Sequence, residues 1–242
     1  MARGNKEMKI NKIPPLERIT PGTEEWKLEK DLCLAKYICV KNFIKGDVLE
    51  VGCGYGYGSS FIADNCNSVI AIDKNKEGIN SARKRYGKPN LTFVISDFFK
   101  FEHDKKFDTI IAMELIEHLD NYEEFIELCK DMLKKNGKLI LSTPNKLLES
   151  EMENEFHKHE FYPDELKTLL ERYFNKVTLF SFRFKEENKI FLPESVKVFL
   201  RKHFMGVVNY FRRLRSSANN FYMEENDKLE NDRGIIAISK DD

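Results

Sequence analysis

A chain of 242 residues can bury one sizeable core and is short for two full domains. Its 40 Lys and Arg residues balance 40 Asp and Glu, so no overall field steers it toward nucleic acid or an acidic membrane, and any basic partner site has to be local. The five cysteines include no Cys-x-x-Cys pair, the N-terminus is polar, and no apolar run approaches the roughly 20 residues that span a bilayer. These features predict a reduced, cytoplasmic protein and argue against secretion and membrane spanning.

Residues 1–22 are basic and polar, broken by Pro14-Pro15 and Pro21-Gly22, and read as an N-terminal arm. A helix is expected from Thr23, with Trp26, Leu28, Leu32, Ala35, Ile38 and Cys39 on one apolar face. The short apolar run Asp47-Val-Leu-Glu50-Val51 then meets glycines at 52, 54, 56 and 58, after which helical spacing resumes with Phe61 and Ile62. Strand, tight loop, helix is the expected order, and Gly52, Gly54 and Gly56 allow a ligand to lie almost on the backbone. The spacing is not the dinucleotide Gly-x-Gly-x-x-Gly, since the sixth position from Gly52 is Tyr57 and from Gly54 is Ser59. A P-loop would need a Lys that is absent.

Ser68 to Ile72 reads as a buried strand that ends on Asp73, where a carboxylate can accept both hydroxyl protons of a ribose. A helix over Lys76 to Tyr86, a strand over Leu91 to Ile95 with Asp97 and Phe98 behind it, and a strand over Phe107 to Met113 follow. Asn121 to Lys135 is amphipathic with Asn136-Gly137 as its stop, and Lys138 to Ser142 is the fifth strand. A helix from Pro163 to Phe174, a strand near Val177 to Phe182 and a last strand over Gly234 to Ser239 complete the pattern. The alternation predicts a doubly wound, mostly parallel sheet.

Glu50-x-Gly-x-Gly-x-Gly resembles motif I of the class I S-adenosylmethionine (SAM) dependent methyltransferases, and Leu133 to Asn145 closely resembles a late motif of the same family. The resemblance covers about residues 15–182 plus the final strand. It implies a Rossmann-like sheet of seven strands, the last antiparallel, with SAM as cofactor. It further implies Glu50, Gly52, Gly54 and Gly56 at the methionine end, Asp73 on the ribose and Asp97 with Phe98 at the adenine; Lys74 and Met113 are counted with this set. The methyltransferase domain is then 23–184 with 233–242. Residues 185–232 match nothing in the common core and are read as a helical insertion.

SAM supplies the methyl group as a sulfonium, so the protein has to bind it, align a nucleophile and see that the nucleophile has lost its proton. Glu114, Glu117 and His118 stand at i, i+3 and i+4, on one face if the segment is helical, and suit a divalent cation such as Mg or Zn. The pattern resembles the Glu-x-x-Glu-His segment of ubiquinone-biosynthesis O-methyltransferases and of small-RNA 2′-O-methyltransferases. The latter add a histidine from a later loop, and His157 or His159 stands in a comparable place, His159 being the one counted with the metal set. His118 as a metal-free base, or a structural role for the segment, are the competing readings.

The insertion carries apolar residues from Val196 to Leu214 at helical spacing with basic residues between them, and 193–215 is expected to form a lid, a homodimer face or a peripheral membrane contact. The expected activity is methyl transfer to a hydroxyl of a small or lipid-linked molecule. An RNA 2′-O-methyltransferase, a small-molecule N- or C-methyltransferase, and a non-catalytic SAM-binding module that serves a partner are the alternatives; nucleic acid is not the expected partner.

Overall fold

The structure, a computed structural model, describes residues 33–148, 156–184, 221–225, 229 and 234–241. The N-terminal arm, the start of the helix expected at Thr23 and the stretch 193–215 lie outside the described residues; residues 33–40 are the described part of that helix, α1. The chain continues through β1 (Asp47–Val51), α2 (Tyr57–Ile62), β2 (Ser68–Asp73), α3 (Lys76–Arg85), β3 (Leu91–Ile95) and β4 (Phe107–Met113). Then come α4 (Tyr122–Met132), β5 (Leu133–Pro144), α5 (Pro163–Glu171), β6 (Lys176–Phe184), β7 (Phe221–Glu225) and β8 (Gly234–Lys240).

The strands form a single sheet in the order β3-β2-β1-β4-β5-β8-β6-β7. β1 to β5 pair in parallel, and β8 inserts antiparallel between β5 and β6. The antiparallel last strand is as expected, but the described residues give the sheet eight strands and not seven. The additional one, β7, pairs antiparallel with the far edge of β6 and comes from the stretch read as a helical insertion. Five residues ending in Glu224-Glu225 give too little alternation to be seen as a strand.

Apolar strands need cover on both faces. On one face Phe125, Ile126 and Cys129 of α4 and Leu166 and Leu170 of α5 are fully buried; on the other, Ala35 and Val40 of α1, Ile62 of α2 and Ile79 of α3 are. Each larger side chain of this kind contributes about 1.5–3 kcal/mol relative to exposure. Asn75 caps α3, its side chain accepting from the amides of Glu77 and Gly78.

Two departures from the expected elements bear on the site. α4 stops at Met132 and not at Lys135, because Leu133 is already extended and pairs with Phe107 while Lys134 reaches Asp47 and Asp108 at 2.9 and 2.8 Å. Asn136, with φ 62°, is therefore a left-handed kink within β5 and does not end the helix. The segment after β4 is also no α-helix: Glu114 has φ 50° and only Ile116–His118 form a single 3-10 turn. No helix among the described residues is long and apolar enough to cross a membrane.

Candidate active site

The strand order reverses between β1 and β4, so the glycine loop after one and the acidic segment after the other meet at the carboxyl edge of the sheet. Ligands of doubly wound sheets bind in such a crevice. Gly52, Gly54 and Gly56 have φ of 76°, 54° and 77°, the left-handed region that favours glycine. Their surroundings differ. A Cβ on Gly56 would lie 2.6 Å from the Phe93 ring and 2.7 Å from Ala82, whereas a Cβ on Gly54 would meet nothing within 4 Å. Gly54 is thus the point at which the loop opens, and Gly56 is where it packs on α3 and β3.

Asp73 holds that open point. Its Oδ2 accepts from the Gly54 amide at 2.8 Å and its Oδ1 from the Asn75 amide at 2.7 Å. These two bonds tie the end of β2 to the glycine loop and to the start of α3. Glu50 is 1% exposed; its Oε1 accepts from the Tyr37 hydroxyl at 2.7 Å, and its Oε2 has no hydrogen bond among the described residues. Burial, with Asp73 nearby, raises its pKa above the ordinary carboxylate value, against the pull of Ser59 and Tyr37. An orphaned carboxylate oxygen beside an open glycine is a fitting receptor for an amino acid's ammonium group.

The expected adenine pair divides. Asp97 is exposed and caps the following turn, accepting from the Phe99 amide at 3.1 Å, while the Phe98 ring packs into the core 5.0 Å from Phe125. The exposed apolar side chain at that edge is Ile95, 39% accessible at the end of β3 in register with Asp73. Lys74 is exposed, and Met113 is buried with the residues on the α1 side of the sheet.

On the β4 side the three expected residues do not share one face. Glu114 swings toward β5: its amide donates to the Ser142 carbonyl at 3.0 Å, and its Oε1 accepts from the Ser142 hydroxyl at 2.8 Å and pairs with Lys36 of α1 at 2.7 Å. Burial acts to raise its pKa, but Lys36 and Ser142 outweigh that and hold it below the ordinary value. Glu117 is turned inward, 1% exposed, and its Oε2 has no hydrogen bond among the described residues. Burial and the charge of Glu114 push its pKa up to about 8.

The backbone carbonyl of Glu117 accepts from the amides of Lys158 and His159, which draws the later loop onto this site. As a result Glu117, His118 and His157 bring their ligand atoms within 4.8 Å of one another. His118 donates Nδ1–H to the Phe156 carbonyl at 2.8 Å, which places its lone pair on Nε2. His157 Nδ1 bonds to Glu160 at 2.6 Å, the carboxylate–histidine arrangement that fixes a ligating or basic imidazole. His159, expected in the metal set, instead bonds through Nε2 to Glu165 at 2.7 Å and packs against the Tyr122 and Phe161 rings. Of the expected set, Glu114 and His159 are thus held elsewhere, and His157 stands with Glu117 and His118.

Lys36, Tyr37 and Ser142 were not singled out in the sequence. The first two interrupt the apolar face of α1 with polar groups, a signal that becomes informative only once the helix is seen to reach Glu114 and Glu50.

Fold and crevice together define a Rossmann-like methyltransferase. A methyltransferase domain family model matches residues 45–178, and the chain belongs to that family, the class I SAM-dependent methyltransferases. A probable S-adenosylmethionine-dependent methyltransferase of Mycobacterium tuberculosis is 35% identical over 129 residues, 51% of this chain and 46% of that one. A ubiquinone biosynthesis O-methyltransferase of Actinobacillus pleuropneumoniae is 37% identical over 113 residues, 43% of this chain and 48% of that one. This chain therefore spans about half the length of the curated relatives it matches. The solved SAM-dependent methyltransferase of Thermotoga maritima described as a possible histamine N-methyltransferase shares the fold, with TM-score 0.64 and 18% identity over 90% of this chain and 93% of that one.

The two loop glycines should separate on substitution. Gly54→Ala meets open space and only the strain of positive φ, so its melting temperature should fall by no more than about 5 °C while calorimetric binding of S-adenosylhomocysteine weakens at least about tenfold. Gly56→Ala should melt roughly 5–10 °C lower, because Phe93 and Ala82 have to move as well.

Glu117 gives a stability that depends on pH. Its folded pKa of about 8 lies above the ordinary 4.5, so the folded state binds the extra proton and stability from this group falls as pH rises from about 4.5 to 8. In metal-free protein, Glu117→Gln should melt like the wild type near pH 4.5 and roughly 5 °C or more above it near pH 8.5. Equal melting at both pH values would exclude a raised Glu117.

Proposed function

We propose that the protein transfers the methyl group of SAM to a hydroxyl oxygen of a small or lipid-linked molecule. The observation that carries this reading is the cluster of Glu117, His118 and His157 at the carboxyl edge of β4, in the crevice that the glycine loop enters. An alcohol or phenol keeps its proton at neutral pH and is a poor nucleophile until it loses it. A cluster able to take or displace that proton suits a hydroxyl acceptor. The ubiquinone biosynthesis O-methyltransferases among the relatives are consistent with that chemistry.

The chain's part begins with binding. The backbone at Gly54 and the carboxylate of Glu50 receive the amino acid end of SAM, Asp73 receives the ribose, and Asp97 the adenine. Glu114, neutralised by Lys36 and tied to Ser142, lines the passage between cofactor and acceptor without adding a second uncompensated charge beside Glu117.

Glu117, His118 and His157 fit a divalent cation, and two imidazoles with one carboxylate favour a zinc-like ion over magnesium. Such an ion would lower the pKa of the acceptor hydroxyl. The second reading rests on the bond from His118 Nδ1 to the Phe156 carbonyl, which leaves Nε2 as a proton acceptor: His118 is then a general base, with Glu117 keeping its own proton at neutral pH.

Chelation separates the two. In the cation reading, exhaustive chelation removes methyl transfer while binding of S-adenosylhomocysteine persists, and Glu117→Ala and His118→Ala each lose about a hundredfold or more in rate. Full activity after chelation, with no metal by elemental analysis, would exclude the cation and leave His118 as base. Binding of NAD in place of SAM would overturn the cofactor assignment itself.

A further inference from the structure

The four glycines of the loop do not share one reason. Gly58 is small because the ring of Tyr37 occupies the space a Cβ would need. The same tyrosine donates its hydroxyl to Glu50 Oε1 at 2.7 Å, from α1 across to β1. Tyr37 is 6% exposed and Glu50 1%, so this hydrogen bond lies wholly inside the protein. The ring is also fixed edge-on to Tyr57, with centroids 6.1 Å apart and an interplanar angle of 83°. The phenol has little freedom to point elsewhere, and burial beside Glu50 raises its pKa and keeps it a donor.

The other oxygen of the same carboxylate behaves differently. Glu50 Oε2 and the neighbouring Ser59 Oγ are both buried and neither meets a partner at hydrogen-bond geometry among the described residues, although the Ser59 hydroxyl is near enough to draw on the Glu50 carboxylate. Buried polar atoms are rarely left so, because the desolvation cost is then uncompensated. One oxygen held rigidly and the other left open is the arrangement of a receptor for a donor that arrives with a ligand.

We propose that Tyr37 is a positioning residue of the cofactor site, whose hydroxyl holds Glu50 so that Oε2 meets the ammonium group of the cofactor's amino acid end. The loop then selects ligands that carry this end over those that offer only the adenosine and sulfur. This rests on the reading that the glycine loop binds SAM. It also gives α1 a double task, since the adjacent Lys36 pairs with Glu114 on the acceptor side. Consecutive helical residues point about 100° apart, so one turn of helix reaches both halves of the crevice.

Two ligands separate positioning from mere bracing of α1. S-adenosylhomocysteine carries the amino acid end; 5′-methylthioadenosine has the adenosine and sulfur without it. Tyr37→Phe keeps the ring against Gly58 and removes only the hydroxyl. By calorimetry the variant should bind S-adenosylhomocysteine about tenfold more weakly and 5′-methylthioadenosine within about twofold of wild type. Glu50→Gln should lose at least as much for S-adenosylhomocysteine, and the double variant should be no weaker than Glu50→Gln alone, because the tyrosine acts through the carboxylate.

Unchanged affinity for S-adenosylhomocysteine in Tyr37→Phe would overturn the proposal. So would a parallel loss of both ligands, including through loss of folding, which would give the tyrosine a structural role. Wild-type protein that binds neither ligand would overturn the cofactor reading on which the proposal stands, an outcome distinct from the other two.

Discussion

An ionised carboxylate taken out of water is costly unless a charge or several donors meet it, and this chain sets three glutamates around one crevice. Each is handled differently. Glu50 is met on one oxygen by a tyrosine hydroxyl. Glu114 is met by an ammonium and a serine hydroxyl, which keep it charged. Glu117 has the smallest compensation, and its pKa accordingly rises to about 8. Incomplete compensation at Glu50 and Glu117 marks the two places where, in the proposed function, a cofactor's ammonium and a proton or cation would be received.

The cost of these buried groups explains much of the architecture around them. The helix α1 lies across the carboxyl ends of β1 and β4, and its Lys36 and Tyr37 supply the compensation that the sheet itself lacks. Asp73, at the end of the neighbouring strand, is spared the same problem by two backbone amides, those of Gly54 and Asn75. The carboxylate that braces the loop and the one that waits for a ligand are thus distinguished by how many donors the fold gives them. The later loop joins through the carbonyl of Glu117, whose bonds to the amides of Lys158 and His159 bring His157 beside His118.

The strain at Glu114 belongs to the same design. A positive φ in a non-glycine residue is unfavourable, and here it turns the side chain of Glu114 toward Ser142 and Lys36 and away from Glu117. The turn gives Glu114 the two partners that keep it ionised, while Glu117, whose pKa the charge of Glu114 still raises, enters the histidine cluster.

What the sequence by itself determined are the features that local backbone physics enforces. Alternating glycines between an apolar run and a helix permit the positive φ that Gly52, Gly54 and Gly56 adopt, and a strand ending in Asp73 places a carboxylate at the carboxyl end of a parallel strand. Periodicity likewise marked the strands of the common core, while β7, which ends in two glutamates and lies far from its pairing strand, escaped it. Tertiary structure decided everything that depends on which distant group reaches a side chain first. Ser142 and Lys36 capture Glu114, Glu165 captures His159, and Phe156 orients His118. None of these pairings leaves a periodic trace, because a hydrogen bond between residues far apart in the chain is set by the packing of whole elements and not by the residues beside it.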